Sequence, residues 1–341
     1  MSILWTLTGL SMLVVLHELG HYSAAKLFGM RVLKFSVGFG PTLWKVTWAQ
    51  TDWQVAAIPL GGYVHIDGMG PSQEDGSPPD KHAFCNKPMW QRMWVILAGP
   101  ITNWFLAAFC IAFSATTVGL NQYDPQSTVI GEVIQDKPAH RAGLVSGDRI
   151  VRIGNTQLTG WAQLVEVIQA NSSHEIEVEI ENQQGKKIVR LTPEQQSGIG
   201  RIGVAPLPHT IYLGFVEASV AGLRGAWKMT TYQVNALSAM VVGEGSGQLS
   251  GLPGIVKTVS AHAKKGLRKF LETLAWLSIG LFILNLAPFP ALDGGRFLFL
   301  AAESVRGKPL NATFEGIAHA LGFLLLMGLM IFVSIRDLFQ P

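Results

Sequence analysis

His17, Glu18 and His21 lie within VVLHELGHY (14–22), inside a segment from Met1 to Ala25 that otherwise holds no acid, base or imidazole. Two histidines four residues apart on a helix are offset by about 40° around the axis and about 6 Å along it. Both imidazoles can therefore reach one Zn²⁺ from the same face. Glu18, next to His17, can take a proton from a metal-activated water as that water attacks a carbonyl. A catalytic zinc keeps three protein ligands and one open position, so a third ligand is needed. The extended HExxHxxGxxH pattern is absent, because Ala24 and Leu27 stand where its later glycine and histidine would be. Asp52, Asp67, Glu74 and Asp75 are nearer in sequence, but Asp293 in NLAPFPALDGGR (285–296) is the more telling candidate. Pro288 and Pro290 remove helix hydrogen bonds, and Gly294 and Gly295 permit a tight turn after the aspartate. A carboxylate at such a broken helix end is free to turn inward to a metal. Asn285, two turns earlier, can donate an amide hydrogen bond to a developing oxyanion or hold an extended substrate strand.

These side chains need apolar elements to position them. Of 341 residues, 48% are hydrophobic and 14% charged, against about a quarter charged in an ordinary soluble domain. Each charge at mid-bilayer costs about 2.5–3.5 kcal/mol on the insertion scale, so ionisable residues there point to function. A spanning helix needs about 20 largely apolar residues. Four segments qualify: 1–25, 93–120, 271–292 and 316–336. The first has neither a basic n-region nor a small-residue cleavage site, so it does not read as a removable signal peptide. His319, in the fourth, reads as a packed or interfacial histidine, with no partner at ligand spacing. A net charge of +3 with no basic block argues against nucleic acid. The two cysteines form no metal or redox motif, and Cys110 reads as apolar packing.

Lys26, Arg31, Lys34, Lys45, Lys81, Lys87 and Arg92 place the 26–92 loop on the cytoplasmic side, and Arg296, Arg306 and Lys308 do the same for the 293–315 loop. The N-terminus and the 124–272 region are then external. Within 26–92, residues 31–66 alternate and read as short strands with glycine turns, while 67–81 is rich in Gly, Pro and acids and reads as a mobile loop. Residues 125–207 carry strand, turn and helix patterns of one α+β domain, with a turn at Gln183-Gln184-Gly185. Residues 208–270 read as a connector with an amphipathic helix near the membrane, its apolar face formed by Phe215, Val216, Val220, Leu223 and Trp227.

With HELGH in the first span and NLAPFPALDGG in the third, the chain resembles the site-2 proteases, intramembrane zinc metalloproteases. It looks closest to the bacterial regulator-of-sigma-E protease group. FSVGFGP (35–41), IPLGGYVHIDG (58–68), AGPITNWFLA (98–107) and SGLPGI (250–255) extend the likeness over nearly the whole chain. AGLVSGDRIVRIGN and the closing GRIGV resemble a circularly permuted PDZ domain. The resemblance implies a polytopic α-helical membrane protein with four transmembrane helices, a membrane-associated β-loop and one external PDZ-like domain. It implies one Zn²⁺ per chain held by His17, His21 and Asp293, with Glu18 as general base. Asn285, Pro288 and Pro290, with Gly38, Gly40, Gly61 and Gly62 of the β-loop, would then contact an extended substrate. Gly200, Ile202 and Gly203 would flank a peptide-end site in the PDZ-like domain. The implied substrates are single-span membrane proteins, anti-sigma factors or signal-peptide remnants, cut by a monomer in the bacterial inner membrane. Its zinc would sit toward the cytoplasm and its PDZ-like domain on the periplasmic or extracellular side. The competing reading is an inactive membrane scaffold that binds peptide ends; an intact Glu18, which a purely structural zinc does not need, argues against it.

Overall fold

The computed structural model describes residues 2–69, 81–196, 198–243, 250–308 and 310–339. The chain divides into two compact units, one formed by Met1–Val118 with Leu213–Pro341 and the other by Gly119–Tyr212. The first unit opens with α1 (Ser2–Leu27), the hairpin β1 (Val32–Trp48) and β2 (Thr51–Ile66), and α2 (Met89–Thr117). The second contains β3 (Leu120–Tyr123), β4 (Ile130–Val133), α3 (Pro138–Arg141), β5 (Arg149–Ile153), β6 (Thr156–Gln157) and α4 (Trp161–Ala170). It continues with β7 (Ile176–Asn182), β8 (Gly185–Leu191), β9 (Glu194–Gln196), β10 (Ile199–Arg201), β11 (Val204–Pro206) and β12 (Pro208–Ile211). The chain then returns to the first unit as α5 (Phe215–Val242), α6 (Leu252–Lys264), α7 (Leu267–Leu286), α8 (Asp293–Arg306) and α9 (Ala312–Phe339).

Among the described residues, α2, α7 and Thr313–Phe339 of α9 are long and apolar enough to cross a membrane. Leu106, Ala107, Ala108 and Cys110 of α2 pack with Leu13 of α1, Ala226 of α5, Val259 of α6, and Phe270, Leu274, Ala275 and Ile279 of α7. The packing follows a rule for helices in lipid, where small residues let backbones approach. On α5, Ala218 and Ala226 are buried, while Phe215, Val216, Leu223 and Trp227 are exposed. Gly222 of α5 abuts the Ala108 carbonyl of α2. The large apolar side chains of α5 therefore point away from the bundle.

The hairpin turns through Ala49 and Gln50 at φ of 50° and 60°, the positive pair that a two-residue turn matching strand twist requires. At this tip, hydrogen bonds from Lys45 and Thr47 hold the Asp52 carboxyl below the usual carboxylate range. The hairpin folds back on itself. Val37 pairs with both Val55 and Gly62, so the start of β1 lies between the start and the end of β2. Gly38, Gly40 and Gly61 take φ of 90°, 89° and 103° where the strands bend.

In the second unit, β6-β5-β7-β8 form a four-stranded sheet. Ile176, Val178 and Ile180 alternate inward from β7 onto Ile150, Leu164, Ile168, Val189 and Ile202, as period-two spacing dictates. Asn182 pairs with Gly185, which places the turn at Gln183-Gln184.

Several boundaries differ from the sequence reading. The third apolar helix ends at Leu286 rather than 292, because Ala287 is extended (φ −60°, ψ 140°) ahead of Pro288 and a residue before proline disfavours the helical region. Residues 293–306 of the expected 293–315 loop are helix α8; Gly307 ends it at φ 65°. Asp293 thus begins a helix instead of ending one. The small unit is longer than 125–207, since β3 pairs with β12 and recruits residues on both sides. The expected connector 208–270 is strand to Ile211 and then mostly helix in α5, α6 and the start of α7. The loop expected over 67–81 lies, from 70 to 80, outside the described residues.

Candidate metal centre

The spacing on α1 brings the Nε2 atoms of His17 and His21 to 3.2 Å from each other. Asp293 Oδ2 lies 3.1 Å from the first and 3.3 Å from the second. Both histidines are buried. Three ligand atoms therefore meet within 4.8 Å in a sheltered position.

What surrounds the rings decides which atoms carry lone pairs. His21 Nδ1 lies 2.8 Å from the Val95 carbonyl oxygen on α2. A carbonyl only accepts, so Nδ1 holds the proton and Nε2 of the neutral ring presents a lone pair. His17 Nδ1 meets the Asn103 side-chain amide at 3.2 Å. Asn103 is fully buried, and its backbone carbonyl accepts the Ser278 hydroxyl of α7 at 2.7 Å. Asn103 Nδ2 is the atom that faces Nδ1; with a metal on His17 Nε2, Nδ1 is the donor, and turning the amide over would bring Oδ1, which has no other partner among the described residues, to accept it. Lone pairs of two imidazoles and one carboxylate then converge with no proton between them. A buried arrangement of this kind calls for a cation, and two His with one carboxylate is a donor set suited to zinc with an open fourth position.

Close backbone packing sets the positions. A side chain at Gly99 of α2 would run into the His21 ring, and one at Gly20 of α1 would meet the Ala98 carbonyl at 2.5 Å. Gly294 lies against the carbonyls of Leu286 and Ala287, and Gly295 against that of Phe289. The glycines after Asp293 thus serve close approach rather than a left-handed turn; the left-handed residue here is Ala291, at φ 80°.

Glu18 stands outside the three-atom cluster, and its Oε2 accepts the Val64 N–H at 3.0 Å. Among the described residues, β1 is the only strand that pairs with 62–66, and the other edge of β2 meets α1 at Glu18. Gly62 lies beside it, with its missing Cβ 3.7 Å from Glu18 Cγ. Gly38, Gly40 and Gly61 belong to the same hairpin. Asn285 is half-buried in the last turn of α7; Pro288 and Pro290 occupy the link between α7 and α8. In the other unit, Ile202 is buried in the core and its carbonyl accepts the Ala139 N–H at 2.9 Å. The Ile202 side chain is thus spent on packing, which leaves its backbone as the part that could meet a peptide end. Gly203, at φ 80°, gives its carbonyl to Ile134, and Gly200 packs on the Ile168 carbonyl.

Asn103, Val95, Gly99 and Val64 escaped the sequence reading. Asn103 had a usable signal, as an amide in an uncharged apolar run; the others act through backbone or through empty space. Replacing Asn103 with leucine should leave His17 Nδ1 unpaired and weaken metal retention about 10–100-fold. Chelator competition on the purified protein measures this, and retention equal to wild type would refute the orienting role.

The sequence profile of Peptidase family M50 matches residues 5–329. The zinc metalloprotease RasP of Geobacillus kaustophilus is 30% identical over 406 residues, covering 96% of this chain and 95% of the relative. A candidate zinc metalloprotease of Clostridium acetobutylicum is 32% identical over 348 residues, covering 100% and 98%. Among solved structures, the PDZ domain of an SdrC-like protein from Listeria monocytogenes aligns with 25% of this chain and 93% of its own, at 15% identity and a TM-score of 0.23.

Proposed function

The chain belongs to peptidase family M50, and from that premise we propose that it is an intramembrane endopeptidase that cuts single-span membrane proteins. It is a zinc metalloprotease, as its relatives are named, with helices long and apolar enough to cross a membrane. The observation that carries the finer reading is the convergence of His17, His21 and Asp293 beside Glu18. Those three would hold the zinc, with Glu18 as general base. The bound ion supplies a Lewis acid that lowers the pKa of water toward about 7 and polarises a carbonyl.

The chain's own groups do the rest. Val64 N–H fixes one carboxylate oxygen of Glu18, leaving Oε1 to take the proton of the attacking water and pass it to the leaving amine. A substrate helix cannot be cut as a helix, since its carbonyls are bonded and shielded. The β2 edge beside Glu18 offers an extended segment a strand to join, which Gly38, Gly40, Gly61 and Gly62 of the same hairpin would contact. Asn285, next to the Pro288–Pro290 link, would hold the substrate backbone or a developing oxyanion.

The remaining assignments follow from the same reading. α1 is the fourth span, and the Gly119–Tyr212 unit lies outside the cytoplasmic membrane as a PDZ-like filter or dock. Gly200, Ile202 and Gly203 would lie near its peptide end. The substrates are anti-sigma factors or signal-peptide remnants left by an earlier external cut, and the working form is the monomer.

The test uses the full-length protein in bicelles with a doubly tagged single-span substrate. Cleavage should stop with a zinc chelator and return with added Zn²⁺. Cleavage that survives complete metal removal would sink the reading.

A further inference from the structure

We propose that His319 of α9 is a positioning residue for the metal centre, acting through the turn that delivers Asp293. The proposal rests on Asp293 being a metal ligand. Residues Phe289–Leu292 form the turn. The Leu292 N–H donates to the Phe289 carbonyl at 3.2 Å, Pro290 occupies the second position and Ala291 the third, at φ 80°. This is the pattern of a type II turn, whose third position calls for glycine or asparagine because it needs a positive φ. Alanine is strained there. The turn leads through Leu292, the residue capping α8, directly into Asp293. Its conformation therefore fixes where the carboxylate stands.

Two contacts from α9 hold the turn. The Ala291 N–H, which the turn's own hydrogen bond does not use, donates to His319 Nδ1 at 2.8 Å. Three residues on, Gly322 lies against the Pro290 carbonyl so closely that a Cβ would collide with it. Because Nδ1 accepts, the proton of the neutral ring sits on Nε2. That atom faces the Glu315 carboxylate, with Oε1 3.7 Å away and one helical turn back. The Phe299 ring of α8 packs edge-on against the imidazole, with centroids 5.3 Å apart. The Ala291 N–H thus sets the tautomer, with the Glu315 carboxylate nearby as an electrostatic partner; His319 anchors a strained amide, and the anchored turn aims Asp293. His319 never approaches the metal as a ligand; its part is to keep the third ligand within reach. The sequence alone, which shows no partner at ligand spacing, hides this role.

The variants that decide it are His319→Leu, which removes the acceptor, and His319→Asn, whose Oδ1 takes the place of Nδ1. Purified full-length proteins are loaded with Zn²⁺ and titrated with a chelator, with Asp293→Ala as reference. His319→Leu should lose zinc about 10–100-fold more readily than wild type, and His319→Asn should hold it close to the wild-type level. In the zinc-free proteins, hydrogen exchange over 286–295 should be faster in His319→Leu than in wild type or His319→Asn. Wild-type retention by His319→Leu, or equal losses in the leucine and asparagine variants, overturns the proposal. If Asp293→Ala itself retains zinc, the ligand assignment fails, and the proposal fails with it. Loss in Asp293→Ala beside full retention in His319→Leu removes the positioning role alone.

Discussion

Replacing Glu18 with glutamine yields a protein that folds, keeps its zinc and cleaves at least about 100-fold more slowly, up to about 10,000-fold. The substitution preserves shape, and the amide oxygen can still accept the Val64 N–H that the carboxylate accepts at 3.0 Å. His17, His21 and Asp293 are untouched, so the three-atom cluster persists. What is lost is a site for the proton of the attacking water, since an amide does not serve as a base near neutral pH. Paired measurements decide the outcome: zinc per chain by elemental analysis, and cleavage of a tagged single-span substrate. Equal cleavage by both proteins would remove Glu18 from the chemistry. A scaffold that merely binds peptide ends predicts no change in any phenotype from this substitution.

The second large effect is on the metal. Asp293→Ala should lower zinc affinity by on the order of a hundredfold or more, since structural sites gather roughly 10–16 kcal/mol from about four ligands. Activity should fall with it. Asp293 Oδ2 lies within 3.3 Å of both Nε2 atoms, so its removal leaves two imidazoles and no carboxylate in the three-atom cluster. His21→Ala should do similar damage, and it also strips the Val95 carbonyl of its donor. Dialysis against a chelator followed by metal analysis reads both variants. Undiminished zinc in either would reject that residue as a ligand. Together with Glu18→Gln, these variants separate holding the metal from using it, because only the glutamine variant should be loaded and inactive.

Part of this site was legible before any fold. HELGH works through helical spacing, and four residues of α-helix are enough to put His17 and His21 on one face. Asp293 stood out because Pro288 and Pro290 cannot continue a helix, and α7 does stop before them, at Leu286. The alternation of Ile176, Val178 and Ile180 likewise carries its own burial pattern. Other features were misread for a definable reason. The glycines after Asp293 were assigned a turn by their conformational freedom, whereas they serve close approach to the 286–289 carbonyls. An alanine, which gives no such signal, takes the left-handed position, and a histidine on another helix holds its amide.

The amino-acid order by itself determined the candidate metal-ligand pair, the carboxylate beside it, the helix break before Asp293 and the apolar segments that carry them. Each is a property of residues within a turn or two, governed by backbone sterics, helical period and the cost of charge in lipid. Only the tertiary structure decided that Val95 and Asn103 would orient the two imidazoles. It likewise decided that the β2 edge would reach Glu18, and that α9 would hold the turn before Asp293. Those partners lie 74, 86, 46 and 28 residues away along the chain. Their hydrogen bonds are made by amides, carbonyls and absent side chains, groups that acquire a direction only when helices and strands pack together.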